Sequence, residues 1–152
     1  MRCRGWLAVL VFLSVIALPA CASSADDKSP DQQSIEALQA RISQAQPREQ
    51  CFLYAELIHQ MTEYSLRQYA AGDVENANDL LRQVQRLAAK LHLSVTENDK
   101  RLKNAEILLR RTAFRLKEML HASSYEDRPL VEQTLAQVNK ADNEAMMHVF
   151  QK

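Results

Sequence analysis

The chain has 152 residues, with 19 basic and 19 acidic side chains, 47% apolar and 25% charged residues. That length suits one domain, and the balance is that of a globular protein rather than a disordered one. Two glycines and four prolines leave almost no material for β-turns. Sandwiches, barrels and glycine-rich phosphate loops are therefore excluded, and an all-helical chain is expected.

Residues 1–22 read as an export signal. Arg2 and Arg4 precede an uncharged, largely apolar run from Trp6 to Leu18, followed by Pro19-Ala20-Cys21-Ala22. Such a run is shorter than the roughly 20 residues of a comfortable membrane span, and Ala20-Cys21-Ala22 fits a small-residue cleavage site with Ser23 as the new terminus. The competing reading is a lipobox at Leu18–Cys21, with Cys21 acylated as a membrane anchor; proline at its second position fits that pattern poorly. Cleavage removes Arg2 and Arg4, the only Trp and two of three Cys. The remaining 130 residues then carry 17 basic and 19 acidic side chains, a net charge of −2. That charge and an extracytoplasmic destination exclude nucleic acid as a partner. The single remaining thiol, Cys51, excludes an internal disulfide.

Residues 23–30 read as a polar tether, and 31–152 as the folded domain. Apolar residues recur at three and four, the helical period. A short first helix, about 31–45, shows only Ile35, Leu38 and Ile42 on one side. A second, about 47–71, starts at Pro47 and buries Cys51, Tyr54, Ile58, Met61, Ser65 and Tyr69. Gly72 then stops it and Asp73 caps the next helix. The third, about 74–95, buries Ala77, Leu80, Leu81, Val84, Leu87, Ala88 and Leu91. Thr96-Glu97-Asn98-Asp99 has capping-box spacing, so the chain is broken there, the alternative being that the third and fourth helices are continuous. The fourth, about 100–121, aligns Leu102, Ala105, Leu109, Ala113, Leu116 and Leu120. After a loop at 123–128, Pro129 restarts a fifth carrying Val131, Leu135, Val138, Ala145 and Val149. Short connections favour antiparallel neighbours. The expected architecture is an up-down bundle of four long helices with a short N-terminal helical arm.

The joint between helices two and three, Gly72-Asp73 followed by Ala77 and Leu81, resembles one turn of a tetratricopeptide hairpin. It covers about a dozen residues without a 34-residue period, so it is a hairpin and not an array. As a whole, the chain resembles small exported all-helical bacterial proteins of unknown function, a resemblance that implies no activity.

Glu56-x-x-His59 and Glu118-x-x-His121 have the spacing of four-helix di-iron proteins. On a helical wheel, however, Glu56 and Glu63 lie about 180° and 160° from Ser65, and Glu118 about 180° from Leu109. All three are expected to face water, with Glu63 pairing with Arg67 one turn on. Glu144-Ala145-Met146-Met147-His148 offers ligands that suit copper, although Met146 reads more simply as helix packing. No C-x-x-C-H exists for covalent haem, and none of His59, His92, His121 and His148 centres an apolar stripe opposite Met61. Neither G-x-S-x-G nor a Cys–His pair is present. Cys51 lies in a first helical turn, where an exposed thiol would be activated, but on the apolar face. No catalytic residue, cofactor or metal is assigned; a periplasmic bundle binding metal or haem through His59 or His148 is the second reading.

Charge spacing says more. Glu49, Glu56 and Glu63 repeat every seven residues on helix two, and Lys103, Arg110 and Lys117 on helix four, a coiled-coil-like spacing. The basic stripe lies about 80–120° from the apolar centre of helix four, while Ile107 and Phe114 project about 150° from it. An apolar strip edged by Arg110, Arg111 and Lys117 is what interfaces favour. Ile107, Arg110, Arg111, Phe114 and Lys117 are therefore the expected interaction residues, for a protein partner or a homodimer; the alternative is that helix one folds over them. A membrane contact follows only if Cys21 is lipidated. The chain reads as a non-enzymatic, exported interaction or structural module of the cell envelope.

Overall fold

A computed structural model describes residues 30–91 and 99–150. The expected export signal, the tether up to residue 29 and the first three residues of the expected capping box lie outside that span. The described residues form five helices and no strand: α1 (Gln32–Gln44), α2 (Pro47–Ala70), α3 (Val74–Leu91), α4 (Asp99–Ala122) and α5 (Arg128–Phe150).

Local chemistry explains the boundaries. Asp31 and Ser34 make a reciprocal capping box, with the Ser34 N–H donating to Asp31 Oδ1 at 2.7 Å and the Asp31 N–H to Ser34 Oγ at 3.0 Å. Pro47 occupies the first turn of α2, where its missing N–H leaves no helical bond unmade. Gly72 ends that helix at φ +87°. The Gly72 N–H donates to Tyr69 O at 3.1 Å and the Asp73 N–H to Gln68 O at 2.9 Å. These two bonds satisfy carbonyls that the helix end would otherwise orphan, and they need the left-handed backbone glycine adopts cheaply. Asp73 Oδ1 then accepts from the Asn76 N–H at 3.3 Å, capping α3.

α2 packs on α1, α3 and α4, while α5 packs on α3 and α4. α3 and α4 are not among the principal packed pairs of the described residues. The residues that meet show how α2 and α4 align: Glu49 with Arg101 at 2.9 Å, His59 with Thr112 at 3.1 Å, Glu63 with Arg115 at 2.6 Å. Both numbers climb together, so these helices run parallel. Asn78 with Asp127 and Gln85 with Thr134 align α3 and α5 in the same sense, at 2.8 and 3.0 Å. The preference for antiparallel neighbours concerns helices joined by short connections, and neither of these two pairs is joined in sequence.

Ile58, Leu81, Leu109, Leu116, Val131 and Val138 are fully buried. Leu53, Leu57, Thr112, Met119, Thr134 and Ala141 are buried beyond the faces anticipated from periodicity, and Leu87, Leu120, Leu135 and Val149 sit at the edge of the core. Most of the additions on α2 and α4 have one cause: each of those helices has more than one packing partner, so a single-face wheel undercounts its buried positions.

The loop before α5 is tied to both α2 and α3. The Tyr69 hydroxyl accepts from the Ser124 N–H at 2.8 Å and donates to Asp127 Oδ2 at 3.1 Å, while Asn78 donates to Asp127 Oδ1. Hydrogen bonds from Ser124, Asn78 and Tyr69 hold the Asp127 carboxyl below the usual range.

Candidate functional site

α4 is polar–apolar on three sides, and each side meets something different. Its core side carries Leu102, Ala105, Leu109, Ala113 and Leu116, all buried. The side toward α2 is a polar seam. There Arg115 grips Glu63 with two nitrogens, at 2.6 and 3.1 Å, and also pairs with Glu118. Thr112 Oγ1 donates to Leu108 O at 2.8 Å, so its oxygen must accept from Nδ1 of His59. That assigns the Nδ1–H tautomer and leaves the lone pair on Nε2. Burial lowers the His59 pKa, Glu63 opposing and Arg111 and Arg115 reinforcing the shift. The imidazole is thus neutral at neutral pH.

This seam corrects the expectation for α2. Glu63 and His59 do not face open water but α4, because α2 is flanked on three sides. Glu63 binds Arg115 rather than Arg67, and the Arg67 guanidinium lies 5.4 Å over the Tyr64 ring. Thr112, Arg101 and Arg115 were not singled out from sequence. The signal existed: Glu49 and Glu63 are spaced by fourteen residues, as are Arg101 and Arg115.

The outer side carries the expected interaction residues. Ile107 is 45% and Phe114 60% exposed, with Arg110, Arg111 and Lys117 exposed around them. α1 does not cover them; it packs on α2. Arg110 pairs with Glu106, a carboxylate only 6% exposed at the foot of the strip. Asp142 of α5 is set against that pair. Its Oδ1 is buried with no hydrogen-bond partner, and burial followed by repulsion from Glu106 raises its pKa, Arg110 opposing.

Beside the strip, toward α2, opens a groove of about 520 Å³. Leu66, Tyr69, Ala70, Met119 and Ala122 line it, with Arg115 and Glu118 at its edge. Glu118 is one turn on from Phe114, so ridge and groove adjoin.

The remaining sequence candidates are dispersed. Glu118 is level with Leu66 on α2, ten residues or about 15 Å from Glu56. The two Glu-x-x-His pairs are therefore not brought together. Among the described residues, no three of His, Cys, Asp and Glu are grouped so as to hold a metal ion. His121 and His148 are exposed and Met146 is half-buried, while His92 lies outside the described residues. Met61 is buried, as is Cys51, whose thiol is pushed up by burial to about 11. Its position in the first turn of α2 does not activate it. No helix among the described residues is long and apolar enough to cross a membrane.

Comparison with known proteins finds no family model, no curated protein and no solved structure that matches the chain.

Proposed function

We propose that this chain is a non-enzymatic helical module of the cell envelope that works by protein contact through the outer face of α4. In this reading residues 1–22 direct export, the four long helices α2–α5 form an up-down bundle, and α1 is its arm. The observation that carries it is the exposure of Phe114 and Ile107, one heptad apart in the middle of a long helix and edged by cations. Burying a Phe or Ile side chain fully is worth about 1.5–3 kcal/mol, and roughly half of that remains unused at each position. Aromatic and arginine side chains on an otherwise charged surface are also what interfaces concentrate.

Phe114→Asp tests the reading. A substitution at an exposed site should leave the melting temperature within a few degrees, because such changes fall within about 0.5 kcal/mol. The complex isolated from the cell envelope, measured by native mass spectrometry, should be lost. Retention of the same assembly by the variant would remove α4 as the contact.

A further inference from the structure

We infer that the occupant of this face is an acidic segment of a different polypeptide, one that brings an apolar side chain into the groove beside Phe114 and carboxylates to Arg111 and Lys117. The inference rests on the contact reading above and names its partner. The first argument is charge. Arg110 is occupied by Glu106, and Arg115 by Glu63 and Glu118. Lys103, Arg111 and Lys117 are exposed and form no ion pair among the described residues, so among those residues the face presents an excess of positive charge.

A second copy fits poorly. Laying two α4 helices antiparallel with Ile107 on Phe114 of the other copy sets Arg110 level with Arg111, and Lys103 with Glu118. The parallel arrangement sets Arg110 beside Arg111 and, one heptad on, Lys117 beside Glu118. Either way arginines of the two copies meet, a like-charge juxtaposition that an acidic segment avoids. A bilayer fits less well for a different reason. A plane can touch the convex ridge but cannot fill the groove of about 520 Å³ lined by Leu66, Ala70, Met119 and Ala122. Two half-exposed apolar side chains with three cations that form no ion pair among the described residues make only a marginal membrane anchor. A ridge beside a hollow is the relief that a polypeptide with one protruding anchor residue matches.

The test places a benzophenone amino acid at residue 114, and separately at residue 122 on the groove edge, in the full chain expressed in its own cells. After irradiation, both positions should yield an adduct with the same heterologous protein. The cross-linked peptide, mapped by mass spectrometry, should be net acidic. Arg111→Glu with Lys117→Glu should reduce the yield at least tenfold while the circular-dichroism melt is unchanged, and 0.5 M salt should reduce it likewise. An adduct of twice the chain's own mass would overturn the acidic-partner inference and keep the contact reading. So would a heterologous adduct that is indifferent to charge reversal and salt. Adducts with lipid alone would overturn both, and no adduct at either position would remove the contact reading itself.

Discussion

Asp142 shows how one side chain can tune the molecule without taking part in a site. Its carboxyl faces Glu106, while the neighbouring Arg110 is already engaged by Glu106. Because its pKa is raised on folding, the native state holds the carboxyl proton to a higher pH than the unfolded chain does. The associated stability is full below the ordinary carboxyl pKa and disappears as pH rises through the folded value. Asp142→Asn keeps the shape and removes the charge that Glu106 repels. We expect it to raise stability at pH 7 by about 1 kcal/mol, and to change little at pH 3, where the native carboxyl is already neutral. Denaturant unfolding at the two pH values checks this; equal effects at both would mean that the charge is not the cause. His59 works in the opposite sense: its lowered pKa means that acidification below the ordinary histidine range opposes folding.

Among the elements, the α2–α3 turn offers the cleanest test of backbone argument against packing argument. Gly72 has φ +87°, yet a Cβ added there would meet nothing within 4 Å. The cost of Gly72→Ala is thus conformational alone, about 1 kcal/mol, measurable as a shift of the unfolding midpoint with an unchanged slope. Gly72→Asn should recover part of it, since asparagine tolerates the left-handed region better. The helices themselves were legible in the sequence because each carries an apolar stripe and a stop or start signal: Asp31, Pro47, Gly72-Asp73 and Pro129 all stand at or within two residues of a boundary. Their second faces were not legible. The α2 wheel centred on Ser65 assigns Glu63 to solvent, and only a parallel α4 arriving on that side supplies Arg115.

For the molecule as a whole, export is the property that its first residues address most directly. If cleavage follows Ala22, N-terminal sequencing of the envelope-derived protein reads Ser-Ser-Ala-Asp, and its mass is that of residues 23–152. A chain that begins at Cys21 and carries diacylglycerol means a lipoprotein instead, and one that begins at Met1 removes both readings. The tie between Tyr69, Ser124 and Asp127 and the bond from Asn78 give the α4–α5 loop a fixed place against α2 and α3.

The amino-acid order by itself determined the helical class, the apolar stripe of each helix and the boundary signals at Pro47, Gly72-Asp73 and Pro129, because those properties depend on spacing along one helix and on local backbone chemistry; that α1 leaves Ile107 and Phe114 exposed was not among them. Which helix lies beside which was decided only in the tertiary structure. A wheel ranks the faces of one helix but does not contain the direction from which a second helix arrives. So the parallel α2–α4 and α3–α5 pairs, the Glu63–Arg115 seam, the Glu106–Asp142 repulsion and the groove beside Phe114 appear only when residues some 36 to 58 apart in sequence are brought to the same level.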